Sequence, residues 1–587
     1  MCGLTAIFSY GDNAPPVDEA ELLRMREAMI ARGPDGAGTW ISANRRVGLA
    51  HRRLAIIDVG ESGSQPMALK DEAGNIRLQI IYNGEIYNYK ELRAELISQG
   101  RTFRTNSDTE VLLQLYDRDG ANMLRKLRGM FAFSIWDEAK QGMLLARDAY
   151  GIKPLYYSDQ GGVLRIASQV KALLEGGGIS TTPNPAGHVG FFTLGYVPEP
   201  HTMYKEIQSL PAGTSLWLRK GGQKIESQHF DFRSEMIALE TSGFGTSAKQ
   251  LRAALVETIE YHLVSDVPVG VFLSAGLDSA SIMALVSEVV GAEMETMTLR
   301  FDEFAGSAMD EAPLAAEIAK LYKTRHQTRT VSGSDFIAEK DNLLAAMDQP
   351  TIDGVNTYFV AKEAADMGLK VAISGVGGDE LLAGYESFRQ VPSLVEKLGW
   401  IPGIGILGPA FRVLSGPILK RLTSPKYASV FEYSADYGSA YLLRRGLFLP
   451  WELTDFLDVD LVREGWGQLH LRENLNATIS GVTDSRSKVS LLESAWYMRN
   501  QLLRDADWAG MAHSLEIRTP LVDAALFTKI AGRGFTKPDM ARSPKIPLPN
   551  SVLNRPKTGF SIPVRNWMQD QSERGVRGWA KSVYTEF

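Results

Sequence analysis

At 587 residues the chain is long enough for two or more domains with ample core. Its 44% hydrophobic and 22% charged content is that of a globular protein, and a net charge of −6 with no basic stripe argues against a nucleic-acid binder. A single cysteine excludes internal disulfides and a Cys-rich metal site.

The N-terminus lacks the basic-then-apolar pattern of a secretory leader, so a cytoplasmic protein is expected. The lone cysteine is Cys2, directly before an apolar segment, 4–8. Removal of Met1 would give it a thiol nucleophile and a free α-amine able to act as its base. Four short motifs follow in order: Arg32-Gly33-Pro34-Asp35, Leu49 to Leu54 with Arg53 inside, Tyr82-Asn83-Gly84-Glu85, and Asn106-Ser107-Asp108. Alternating segments at 78–82, 130–136, 143–147 and 164–168 predict antiparallel sheets with one face buried. Turn residues at 176–178 and 183–185 open a connection, and 234–246 reads as a linker by composition.

A helix is expected over 249–263, then a short strand over 267–272. Between that strand and a helix over 280–290 lies Leu273-Ser274-Ala275-Gly276-Leu277-Asp278-Ser279. Gly276 permits a sharp turn, and amides converging at a helix N-terminus form an anion site. The turn lacks the Gly-Lys-Ser/Thr ending of a Walker loop. Strands at 295–301 and 369–373, the latter followed by Ser374-Gly375-Val376-Gly377-Gly378-Asp379-Glu380, alternate with helices at 332–348 and 355–367. That alternation predicts a parallel sheet with ligands at the strand C-terminal ends. Asp278 and Asp379 there are suited to Mg²⁺ on phosphate oxygens. The most apolar stretch, 401–419, is broken by prolines, glycines and Arg412, so no membrane span is expected. A further helix is expected over 491–504.

Cys2 and the four N-terminal motifs together resemble the class II glutamine amidotransferases, N-terminal-nucleophile enzymes with an αββα sandwich. The resemblance implies that Cys2 is the nucleophile. It implies that Asn83 and Gly84 form the oxyanion hole, and that glutamine is held by Arg53 at its carboxylate and Asp108 at its ammonium, with Asn83, Gly84 and Glu85 lining the site. The Ser-x-Gly-Leu-Asp-Ser turn resembles the pyrophosphate loop of N-type ATP pyrophosphatases. Both halves in this order are similar to the glutamine-hydrolysing asparagine synthetases, with later agreement at 514–523 and 555–560.

The family likeness implies domains at 2–232 and 246–587. It implies ATP bound by Phe272, Ser274, Gly276, Leu277, Asp278, Ser279, Leu299, Ser374 and Gly375, Mg²⁺ on Asp278 and Asp379, and Lys537 offsetting charge on phosphorus. Pro538 and Pro544 disturb the helix expected to carry that lysine. The partners implied are glutamine, ATP and a carboxylate, aspartate first; a homodimer is one option for assembly. The likeness fails at one position. Val376 stands where these synthetases carry glutamate. Amidation of another carboxylate, such as a sugar acid, or a glutaminase with a silent second half, are the alternatives. The stretch 385–490 matches no pattern that can be interpreted.

Overall fold

A computed structural model describes residues 2–242, 247–291, 294–307, 309–401, 403–422, 424–555, 563, 567 and 576–587. Apolar residues on both faces of the N-terminal strands dictate its first unit. Leu4, Ala6 and Phe8 point between two sheets, where they meet Ile81, Ala132, Trp136 and Leu145. Ile7 and Ala50 face the other way, against Leu22, Met25 and Met29. Ile80, Tyr82, Phe131 and Phe133 likewise pack outward on Leu96, Leu112 and Leu115.

One six-stranded sheet runs in the order Gln208–Ser209, Tyr156–Gln160, Val163–Ala167, Gly3–Ser9, Val47–Arg53, Gly36–Ile41. The other runs Lys224–Gln228, Thr214–Arg219, Gly142–Arg147, Gly129–Asp137, Ile76–Ile86, Met67–Lys70, and every pairing in both is antiparallel. Helices Glu19–Glu27 and Val170–Glu175 cover the first sheet; Tyr89–Ser98 and Asp108–Asp119 cover the second. This is the expected αββα sandwich. The expectation of one buried face per sheet is corrected: helices outside and a second sheet inside bury both.

The second unit is built on five parallel strands in the order Arg325–Val331, Glu295–Phe301, Val269–Phe272, Val371–Ile373, Glu516–Arg518. The order reverses beside Val269–Phe272, so the loops leaving that strand and Val371–Ile373 diverge and leave a crevice between them. Both candidate phosphate and metal loops leave the sheet there. The strand over 295–301 matches its expected bounds. The one expected over 369–373 starts only at Val371, because Gly368 at φ +82° turns the chain out of helix Val355–Asp366.

Three expectations change. Much of the linker expected over 234–246 is helix Phe232–Thr241. The Asp231 carboxylate accepts from the amides of Arg233 and Ser234, and Phe232 and Met236 are buried; residues 243–246 lie outside the described set. The helix expected over 491–504 is the middle of a continuous run from Ser485 to Met511 with a π-helical segment at Glu493–Leu503. The uninterpreted 385–490 is mostly helical, including Ser387–Leu398, Ile404–Leu422, Tyr437–Arg445 and Val459–Leu469. Of the motif at 555–560, only Arg555 is among the described residues.

The two units share a polar, buried contact. Arg32 forks onto Asp507 at 2.7 and 3.1 Å, with the side chains 2% and 5% exposed. Arg128 reaches Asp523, and the Asp348 carboxylate accepts from the amides of Val170 and Lys171 at 2.9 and 3.0 Å. Removing one partner of a buried pair strands the other charge. Asp507→Ala is expected to lower stability by about 3–5 kcal/mol, read as a drop in the chemical denaturation midpoint. The paired change Arg32→Met with Asp507→Leu should recover most of that loss.

Candidate active sites

Cys2 immediately precedes strand Gly3–Ser9 of the first sheet and is buried. Its backbone nitrogen donates to Asn83 Oδ1 at 2.9 Å, and its carbonyl accepts from Arg32 Nε at 3.1 Å. Burial pushes the thiol up, and the terminal ammonium pulls against it. Asn83 lies inside strand Ile76–Ile86 and is fully buried, and its Nδ2 has no hydrogen-bond partner among the described residues. An orphaned donor beside a nucleophile is costly unless it serves a ligand. Gly84 is required by close approach: a Cβ there would sit 2.1 Å from the Met130 carbonyl oxygen, at φ +153°.

Asp108 opens helix Asp108–Asp119 behind the Ser107 cap. Its carboxylate accepts from Tyr82 Oη at 2.9 Å and from the Ile86 amide at 3.0 Å. Burial lifts it to about 6 against those two bonds. Arg53 ends strand Val47–Arg53 and donates to a loop, with the Gly60 carbonyl at 2.6 Å and the Asp58 carbonyl beside it. Glu85 is buried, and burial with nearby Glu516 and Asp108 holds it well above the usual carboxylate range. His51 donates from Nε2 to the Tyr82 carbonyl at 2.9 Å, and burial pushes it down to about 3, so it is neutral. It offers the thiol no imidazolium.

The second site is a cavity of about 550 Å³ at the strand ends. All nine expected nucleotide residues line it, from Phe272 through the Ser274–Ser279 turn to Leu299, Ser374 and Gly375. The turn is tied by Ser274 Oγ to Ser279 Oγ at 2.8 Å and by the Gly276 amide to Ser274 Oγ at 3.2 Å. Helix Leu277–Val290 points its N-terminus into the cavity mouth. Lys537 Nζ bridges Asp278 at 2.5 Å and Asp379 at 2.6 Å. Burial lowers the Lys537 ammonium, but the two carboxylates outweigh it and hold it raised. Pro538 does no harm, since it lies in the first turn of the short helix Lys537–Ala541, where its missing donor would be unpaired anyway. Two hard carboxylate oxygens that already share one cation fit Mg²⁺, which takes one or two protein carboxylates and fills its shell with phosphate and water.

Val376 lines the same cavity. So do Asp353, Glu380, Tyr385, Tyr497 and Asp505, which the sequence reading did not single out. Glu380 accepts from Tyr385 Oη at 2.9 Å through one oxygen, while its Oε2 has no hydrogen-bond partner among the described residues. Burial and neighbouring Asp379 push it up to about 8. Buried Arg518 was also missed. It donates to Glu516 at 2.7 Å and lies 3.8 Å from Glu85, joining the end strand of the parallel sheet to the segment holding Asn83. Arg518 lies in the stretch 514–523 that resembles the family, but no role was assigned to it; Glu516-Ile517-Arg518, two charges flanking an apolar residue on a buried strand, was the local signal.

A nucleophile beside an orphaned amide donor, coupled to a phosphate-loop cavity on a parallel sheet, defines a glutamine-dependent amide ligase that consumes ATP. A glutamine amidotransferase domain model matches residues 1–231, and an asparagine synthase model matches 250–583. The chain is 32% identical over its whole length to asparagine synthetase [glutamine-hydrolyzing] 1 of Bacillus subtilis, covering 91% of that protein. It is 31% identical to a putative asparagine synthetase of Mycobacterium tuberculosis, with 97% of this chain and 88% of that one covered. Against asparagine synthetase 3 of Bacillus subtilis the identity is 27%, covering 100% and 90%. The chain belongs to the glutamine-hydrolysing asparagine synthetase family.

Gly378 tests the second site. A Cβ there would meet the Asp278 carboxyl group at 2.6 Å. Gly378→Ala should displace Asp278 and cut ATP–pyrophosphate exchange by about tenfold or more (~1.4 kcal/mol or above), with glutaminase turnover unchanged.

Proposed function

We propose that the chain makes asparagine from aspartate, with a glutaminase domain over 2–232 supplying ammonia to a synthetase domain over 246–587. The observation that carries the first half is the unpartnered Asn83 Nδ2 beside Cys2. With Met1 removed, the Cys2 α-amine accepts the thiol proton and the thiolate attacks the glutamine amide carbon. Asn83 Nδ2 and the Gly84 amide hold the developing oxyanion. Arg53 binds the substrate carboxylate and Asp108 its ammonium. Ammonia leaves, and water releases glutamate from the thioester.

In the second cavity the acceptor carboxylate attacks the α-phosphorus of ATP. The amides and hydroxyls of the Ser274–Ser279 turn receive the departing pyrophosphate, and Lys537 offsets charge on phosphorus. Phe272 and Leu299 flank the base, with Ser374 and Gly375 against the nucleotide. Asp278 and Asp379 would hold Mg²⁺, which when bound neutralises the phosphate oxygens. Ammonia then displaces AMP to give the amide. Supply of ATP and glutamine makes the cytoplasm the setting for this reaction.

Val376 supports a second reading, the same chemistry on another carboxylate. Valine cannot accept a proton from attacking ammonia. Protein with a free N-terminus is given glutamine, ATP, Mg²⁺ and aspartate, and asparagine, AMP and glutamate are quantified. Asparagine rising in step with AMP is expected. Glutamate without asparagine or AMP sinks the aspartate reading and turns the search to other acceptors, while AMP without asparagine points to an adenylated acid that ammonia cannot reach.

Asp108 gives a pH dependence. Its folded value, about 6, lies above the ordinary carboxylate value, so it is charged above that pH and neutral below it. KM for glutamine is expected to rise as pH falls through about 6. Asp108→Asn should give a high KM that no longer varies across that window; an unchanged profile in the variant would remove Asp108 from glutamine binding.

A further inference from the structure

The stretch 385–490, which as sequence matched no pattern, supplies a clamp on one wall of the second cavity. Arg445 ends helix Tyr437–Arg445. Its Nε donates to one oxygen of Glu493 at 3.0 Å, and its Nη2 lies 2.9 Å from the other. Glu493 is fully buried and also accepts from the hydroxyls of Tyr441, at 3.1 Å, and Ser387. The guanidinium lies over two rings, its Cζ 4.5 Å from the centroid of Tyr385 and 3.9 Å from that of Tyr497. The rings themselves stand edge to face, 5.9 Å apart at 79°. Both tyrosines line the cavity, and Tyr385 donates to Glu380, the neighbour of Asp379.

The helix that carries Glu493 and Tyr497 is shaped to the same end. Residues Glu493–Leu503 form a π-helical segment. Its i→i+5 bonds bring residues five apart onto one face. At 3.6 residues per turn such residues would lie about 140° apart. Tyr497 and Leu502 are five apart, and both line the cavity. π-helical turns are rare and gather at functional sites. A buried ion pair is also a costly way to hold a wall, since apolar side chains of similar volume stabilise as well or better. A pair that adds nothing to stability, set directly behind two cavity-lining rings, points to a role in the site.

We propose that Arg445 is a positioning residue for the acceptor: clamped by Glu493, it fixes Tyr385 and Tyr497 as the wall against which the acceptor rests, beside the loop that carries Val376. This rests on the amidotransferase reading above and adds to it what sets the fit of the acceptor. Arg445 is not among the residues that line the cavity, so it acts through the two rings. A guanidinium suits the task because its edge holds the carboxylate in fixed directions while its face is left for the rings. An ammonium has no such face.

The test compares the wild type with Arg445→Lys and with the paired change Arg445→Met, Glu493→Gln. The paired change removes both charges and keeps an amide oxygen for Ser387 or Tyr441, so its melting temperature should stay close to that of the wild type. With aspartate as the probe, its KM in ATP–pyrophosphate exchange should rise about tenfold or more in both variants, while KM for ATP holds. A merely structural pair would restore KM together with stability. A paired variant with wild-type melting temperature and wild-type KM for aspartate therefore overturns the proposal, as does an equal rise in KM for ATP. A crystal structure of the paired variant should show Tyr385 and Tyr497 turned from their places. Rings left where they are overturn the proposal whether or not aspartate is the acceptor. A wild type without aspartate-dependent exchange would instead sink the aspartate reading, and the ring positions then decide on the clamp.

Discussion

The fork from Arg32 to Asp507 is the constraint on which the relation between the two sites depends. Arg32 uses its Nε to hold the Cys2 carbonyl and both terminal nitrogens to hold Asp507. Asp507 belongs to helix Arg504–Met511, and two residues earlier on that helix Asp505 lines the acceptor cavity. One arginine therefore links the nucleophile's backbone to the helix that walls the second site. Neither charge tolerates burial alone, so the two units can hold them only when docked. A planar guanidinium suits this better than an ammonium, because it satisfies three acceptors in fixed directions.

A second contact repeats the logic at the sheet edge. Arg518 sits between Glu516 and Glu85, fully buried. The pair of carboxylates is unequal: Glu516 is held low by the terminal ammonium, Arg518 and Lys153 despite its burial, while Glu85 is held high. Ser374 donates its amide to the Arg518 carbonyl at 2.8 Å, so the strand that touches the glutaminase unit also anchors the loop carrying Asp379. In the cavity itself, Lys537 keeps Asp278 and Asp379 together before any substrate arrives. The two carboxylates are thereby held at fixed positions in the cavity.

The parts of the sites formed by contiguous residues were legible in the sequence. The Ser274–Ser279 turn, the Tyr82–Glu85 segment and strand Glu295–Phe301 declare themselves through spacing and residue type, since each is formed by neighbouring residues. Lys537 was legible by distance along the chain although its helix was not, because a proline at a helix start is compatible with what looked like disruption. Asp353, Tyr385, Tyr497 and Asp505 were hidden: they come from three separate segments, Tyr497 and Asp505 sharing one helical run, and only tertiary packing makes them one wall. Helix Phe232–Thr241 was hidden by the Ser, Thr and Gly that follow it, while its anchors, Asp231, Phe232 and Met236, are few. The double burial of the sandwich strands could not be read from one strand, because the covering layers come from elsewhere in the chain.

The proposed supply of ammonia from the first site to the second depends on the two units being docked. The measurement that tests it supplies glutamine with a heavy-nitrogen label at the amide, together with excess unlabelled ammonium, and reads the label in the product amide by mass spectrometry. Internal transfer predicts product that keeps the label whatever the ammonium concentration. Label diluted in proportion to bulk ammonium would mean that ammonia leaves the first site before reaching the second, and the coupling assigned to the Arg32 and Arg518 contacts would be wrong.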